Sequence, residues 1–190
     1  PWESNSIGAW VHVLQMPGPG NEMRMYYGCL EHAAQTNGRP CAPGKYCGDS
    51  GRICLATSTN GIDWVKPHLG IFDRNGSTAN NLVFDPPQGE IMPAIVVDPP
   101  ARAGPDGADK YKLLHRILSP QGFDGGCLAV SFSADGKHWR RATNASGMTI
   151  DCVIHTADTC SQVIWSEARQ KYLATTRDDS SSDGGGGGGP

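Results

Sequence analysis

The chain lacks any apolar run near the roughly 20 residues that a membrane-crossing helix requires. It also lacks a basic stripe. Its 16 basic and 19 acidic residues are well mixed and leave a net charge of −3, which argues against nucleic acid as a partner. No helix-length segment carries apolar residues recurring at three and four positions, so a helical bundle is excluded. Seven cysteines are present, yet none of their spacings matches the paired C-x-x-C pattern of a zinc site. Neither a metal nor a tightly held organic cofactor is expected. No signal peptide is visible, and a chain that starts at Pro1 rather than Met carries no information on that point.

What the chain does have is turns. It holds 25 glycines and 14 prolines, and even with the six-glycine tail set aside the Pro-rich loops remain, as short strands joined by many turns require. The pattern Ser-x-Asn/Asp-Gly-x-x-Trp occurs twice, at Ser58–Trp64 and Ser133–Trp139. Asn-Gly or Asp-Gly tolerates the positive φ of a tight turn, and the Trp three residues on can fold back and bury a large ring. Before each copy stands an apolar strand, Ile53–Ser58 and Cys127–Ser133. Before that stands a stretch with a basic residue and Tyr, Arg24–Gly28 and Lys110–Leu114. A third such stretch, Lys171–Arg177, lies near the end. The unit reads strand, loop, strand, turn, Trp, and a repeated unit decides the fold. Strands are expected at about 8–15, 23–30, 53–58, 81–85, 93–98, 111–117, 127–133, 150–155, 161–166 and 171–177. The two Trp residues are 75 positions apart, longer than the roughly 40–50 of a compact propeller blade, so long insertions between strands are implied.

The cysteines have two readings. Disulfides of a secreted protein are one, with Cys41–Cys47 closing a Gly/Pro-rich loop. Free thiols packed as small hydrophobes in strands are the other, and Cys29, Cys54 and Cys127 fit it. Two Asn-x-Ser triplets, at Asn75 and Asn144, lean towards a secreted or extracytoplasmic protein. Residues 178–190, Ser/Asp-rich and then glycine, can bury nothing and should form a flexible linker or tail. The domain is therefore expected to span 1–177.

Met25-Tyr26-Tyr27, the run Cys54–Trp64, Lys66-Pro67 with Leu69-Gly70, and Asn75–Phe84 resemble the five-bladed β-propellers related to glycoside hydrolase families 32 and 43. The resemblance continues through Val97–Pro100, Lys110–Lys112, Ser133–Trp139, Asp158-Thr159 and Trp165–Tyr172, so it covers most of 23–177 in the family's order. It implies an all-β, five-bladed propeller that is incomplete here, with roughly two and a half to three blades. The missing C-terminal half of the propeller would then be a partner, since an open arc leaves edges and blade faces uncovered. The family 32 signature Trp-Met-Asn-Asp-Pro-Asn-Gly, which carries the nucleophile there, is absent. The implied function is hydrolysis of a glycosidic bond of a carbohydrate. The alternative is a non-catalytic propeller that binds carbohydrate or protein.

Glycosidases of this kind place two carboxylates around the scissile bond. Asp98 ends the strand Ile95–Val97 and precedes Pro99-Pro100, resembling the family's Asp-Pro element; it is equally a turn aspartate before proline. Asp158 resembles the Asp-Thr element and is the second candidate, with a plain turn role as its alternative. Asn80 and Asn81 can both donate to and accept from sugar hydroxyls, or stabilise their own loop. His115 and Arg116 alternate on one strand, so only one of them can face a central funnel. Arg177 ends a strand and is a further substrate-binding candidate or a surface charge. Trp64 and Trp139 are read as packing residues, and Glu167 as part of a solvated turn.

Overall fold

The computed structural model describes residues 6–31, 35–36, 39–40, 50–74, 76–85, 92–117, 127–155 and 161–176. These form β1 (Ser6–Gln15), β2 (Met23–Glu31), β3 (Gln35–Thr36), β4 (Arg39–Pro40), β5 (Ser50–Ser58) and β6 (Leu82–Phe84). They continue with β7 (Ala94–Val97), β8 (Tyr111–Ile117), β9 (Cys127–Ser133), β10 (Arg140–Arg141), β11 (Gln162–Ser166) and β12 (Lys171–Thr175). Every pairing is antiparallel. The first sheet has the order β1-β2-β5-β6 and the second β10-β9-β8-β7; β11 and β12 form a third, two-stranded sheet, and β3 and β4 a small ribbon. The expected strand over 150–155 is not formed. Ile154 makes one isolated bridge to Leu128, because β10 already occupies part of the β9 edge.

The inner strands β5, β8 and β9 bury side chains on both of their faces, whereas the edge strand β1 exposes one. Tyr26, Ile53, Leu55, Val83 and Phe84 of the first sheet pack against Ile95, Tyr111 and Leu113 of the second. Ala94, Leu114 and Leu128, with Ile154, carry the core onward to Val163 of β11. The sheets thus lie face to face in succession. Strand β7 adjoins β11, and the His12 ring of β1 hydrogen-bonds the backbone of Ile95 in β7. Among the described residues the three sheets do not close into a barrel or ring. The far face of the first sheet holds Tyr27, Cys29, Cys54, Ala56 and Leu82 under Met25, Trp64 and Phe72. Beyond that cover Val11 and Val13 of β1 stay 46% and 49% exposed.

The repeated turn has the same construction in both sheets. Ser58 Oγ accepts from the Gly61 N–H at 2.9 Å and donates to Asn60 Oδ1, which accepts from the Ile62 and Asp63 N–H groups at 2.9 and 2.8 Å. Ser133 Oγ accepts from the Gly136 N–H at 2.9 Å and donates to Asp135 Oδ1, which accepts from Lys137 and His138 at 2.8 and 2.9 Å. The side chains thereby satisfy backbone donors that the reversal would leave orphaned. After each turn the chain returns to the sheet, Val65 beside Thr57 and Arg140 beside Phe132.

The equivalence set by the turns differs from the one suggested by the tyrosines. Ser58 stands opposite Met23 and Ser133 opposite Tyr111, so Tyr111 corresponds to Met23 and His115 to Tyr27. The two Trp rings also diverge. Trp64 donates from Nε1 to Gly61 O at 3.1 Å and covers its own sheet. Trp139 reaches the neighbouring sheet, where its ring meets Tyr26 edge-on at 6.4 Å between centroids.

The cysteine expectation is corrected at two positions. Cys29 and Cys54 are not free thiols: they form a disulfide across β2 and β5, with Cα atoms 5.8 Å apart. Cys29 faces Arg52 and Cys54 faces Tyr27, so the two are diagonal neighbours on one face of the sheet. That relation follows from register, which spacing along the chain does not reveal. Cys41 and Cys47 lie outside the described residues.

Candidate functional site

Proline has no N–H and ends the ladder after Val97, so Asp98 stands at the tip of β7. Its backbone N–H still bonds Lys110 O at 2.8 Å, closing a loop of two short 3-10 turns, Pro100–Arg102 and Pro105–Gly107. The carboxylate has no exposed surface. It accepts from Lys112 Nζ at 2.6 Å, from Arg102 Nε at 3.2 Å and from the Tyr172 hydroxyl. Lys112 Nζ also donates to Arg102 O at 3.1 Å and Asp109 O at 2.7 Å. Arg102 lies 4.2 Å above the Trp165 ring and reaches Glu167 Oε1 at 3.2 Å, while Trp165 and Tyr172 pack edge-on at 4.8 Å. Asp98 is therefore the joint between the second and third sheets.

Burial opposes the charge on Asp98, but the hydrogen bonds from Lys112 and Tyr172, the Lys112 charge and Arg102 hold its carboxyl below the ordinary value. Burial, and the carboxylate beside it, push the Tyr172 hydroxyl up to about 12. At neutral pH the pair is a carboxylate and a neutral phenol. The carboxylate can accept a hydrogen bond or stabilise positive charge, and it has no proton to give. Beside it opens a cleft of about 710 Å³, lined by Val97, Pro99, Ala103, Asp106 and Lys110 and by Pro17 from the β1–β2 connection.

The other candidates are not gathered here. Asn81, buried, donates to Tyr27 Oη and Leu55 O, both at 2.8 Å. Asn80, also buried, donates to Phe72 O at 2.8 Å and accepts from the Leu82 N–H at 3.1 Å. Both amides hold the 72–82 loop on the far side of the first sheet. His115 is fully buried, with Nε2 3.0 Å from Ser131 Oγ and its ring against Phe84 at 4.9 Å. Arg116 alternates with it along β8 and is half-buried. Asp158 and Arg177 lie outside the described residues.

The residues that surround Asp98 were missed in the sequence. Lys112 and Tyr172 read there as strand residues, and Arg102 was not singled out. Glu167 is 73% exposed, as a turn residue should be, yet it is tied to Arg102. The one usable signal was the alternation in β8, which puts Lys112 and Leu114 on one face, opposite Tyr111 and Leu113.

No family model and no curated protein matches the chain. Among solved structures it is similar to a glycosyl hydrolase from Bacteroides ovatus, at 17% identity and a TM-score of 0.46. The match covers 85% of this chain and 38% of that one, so the chain spans well under half of that protein's length. Among the described residues no group of three or more His, Cys, Asp or Glu side chains could hold a metal ion. Among the same residues no helix is long and apolar enough to cross a membrane.

Proposed function

We propose that the chain forms two and a half to three blades of a five-bladed β-propeller of the glycoside hydrolase 32/43 type, and that it acts on a glycosidic bond of a carbohydrate. The observation that carries the reading is the placement of Asp98. Three sheets stack in succession, β1, β7 and β11 are neighbouring edge strands, and a buried carboxylate ends the middle one beside an open cleft. In this reading Asp98 stays ionised and positions sugar hydroxyls or stabilises positive charge in the transition state. Asp158 is the second carboxylate, Arg177 a cation near the sugar, and the general acid comes from blades beyond residue 177. Those blades cover the exposed valines of β1. Residues 1–177 belong to the propeller and 178–190 to the linker. The Cys29–Cys54 bond fits an oxidising, extracytoplasmic compartment.

A second reading, a non-catalytic carbohydrate- or protein-binding propeller, is favoured by the partners of Asp98. Its oxygens are already engaged by Lys112, Arg102 and Tyr172, so a ligand hydroxyl has to displace one of them. Asp98→Asn separates the two. Turnover of a panel of polysaccharides and their binding are measured for wild type and variant, with folding checked by circular dichroism. A hydrolase loses at least 100-fold in turnover, about 2.7 kcal/mol, while keeping most of its sugar affinity. Unchanged turnover removes Asp98 from the site. Sugar binding by a wild type that cleaves nothing selects the second reading.

A further inference from the structure

After β10 the chain makes a narrow outward loop. Thr143 and Thr149 form its neck as a bridge, Asn144 N–H bonds Met148 O at 2.8 Å, and Gly147 N–H bonds Asn144 O at 2.9 Å. Residues 143–149 are all exposed. Asn144 heads the triplet Asn144-Ala145-Ser146. Its Oδ1 accepts from the Ser146 N–H and the Met148 N–H, both at 3.0 Å. Two donors on the amide oxygen fix the side chain, and Nδ2 makes no hydrogen bond among the described residues. The nitrogen is left outward, two residues from a hydroxyl that is also exposed.

We propose that Asn144 is an N-glycan acceptor. The sequon alone would be weak; its place at the tip of a solvent-facing loop, in a chain that also carries the Cys29–Cys54 disulfide, makes it a site. The donor class is a lipid-pyrophosphate-linked oligosaccharide acted on by a transferase of the secretory membrane. The new bond joins Nδ2 to the anomeric carbon of the first sugar, the bond from that carbon to the pyrophosphate oxygen breaks, Nδ2 loses a proton, and the lipid pyrophosphate leaves. The folded protein accommodates the product. In the second sheet β10 is the edge opposite β7, so β8 and β9 separate the glycan from the Asp98 cleft. The glycan stands beside Met148, which is otherwise 63% exposed.

The test is secretion of the full chain from a eukaryotic host with an N-glycosylation pathway. Intact mass is followed by analysis of the tryptic peptide 142–169, which contains this sequon and no other; the sequon at Asn75 falls on 75–102. The expected result is an oligosaccharide on 142–169. Release of the glycan by an amidase in heavy-oxygen water marks Asn144 as labelled aspartate. Ser146→Ala loses the modification, although the backbone donors to Asn144 remain, and Ser146→Thr keeps it. An unmodified 142–169 peptide in the secreted wild type and in Ser146→Thr overturns the proposal, whether or not Ser146→Ala folds.

Discussion

Asn60 and Asp135 occupy the same place in the same hydrogen-bond cage, but only Asp135 carries charge. Burial raises its carboxyl, and the His138 backbone and ring, the Lys137 N–H and Ser133 outweigh that and hold it far below the ordinary 3.8. A carboxyl depressed by folding stabilises the protein above its unfolded value, and that contribution is lost as pH falls towards the folded one. Asp98 acts in the same direction. Stability should therefore be flat down to about pH 4 and decline below it, as urea melts from pH 7 to pH 2 would record. Asp135→Asn should change neutral stability by only about 1 kcal/mol, since Asn60 holds the first turn with the same set of bonds, and should flatten the acid decline. An unaltered acid slope in the Asp135→Asn variant would remove Asp135 as its source. The alkaline limb has another origin. Burial raises the Tyr26 hydroxyl to about 12 from 10.0, so stability present below pH 10 is lost as pH climbs through 12, roughly 2–3 kcal/mol from Tyr26, with Tyr172 acting in the same direction.

At the scale of the element, the repeated turn is where two sheets meet. A Cβ on Gly136 would lie 2.5 Å from Tyr26 Oη and 3.2 Å from Arg24 Nη1, and Arg24 Nη1 donates to Asp135 O at 2.7 Å. A Cβ on Gly61 would meet only the flexible end of Met23, at 3.4 Å. Both glycines have positive φ, +76° and +74°, which a side chain opposes by roughly 1–2 kcal/mol. Gly61→Ala should cost about that much and Gly136→Ala at least 1 kcal/mol more, by chemical denaturation, since overpacking adds to the strain. Equal losses would show that the second turn does not hold the sheets together. Many of these elements were legible in the sequence: the apolar runs in β2, β5, β8 and β9 and the Asn/Asp-Gly signals placed strands and turns within a few residues, while the short β3, β4 and β10 carried no such run. Register was not legible. Tyr26-Tyr27 and Tyr111 look alike along the chain, yet pairing matches Tyr27 to His115, because hydrogen bonds across strands fix the phase. The candidate site suffered from the same blindness. Asp98 was proposed from its place at a strand end before proline, whereas its partners come from a loop turn four residues on (Arg102), from the register of β7 on β8 (Lys112) and from the packing of the third sheet (Tyr172).

At the scale of the whole molecule, the one disulfide among the described residues lies within a single sheet. The Cys29–Cys54 bond spans 25 positions and ties β2 to β5 inside the first sheet alone. A loop of that length should contribute roughly 3 kcal/mol. Reduction, or Cys54→Ser, should lower the denaturation midpoint accordingly, and amide exchange should quicken in 23–31 and 50–58 before it does in 111–117 and 127–133. Uniform quickening would mean that the first sheet does not open as a separate unit. The joint between the first and second sheets, with Tyr26, Trp139, Gly136 and Arg24 in contact, asks of each partner only a tyrosine-bearing strand on one side and an indole-tipped reversal on the other. A coupling so plain can be copied end to end, and gene duplication could lengthen such a stack without devising new chemistry for each addition.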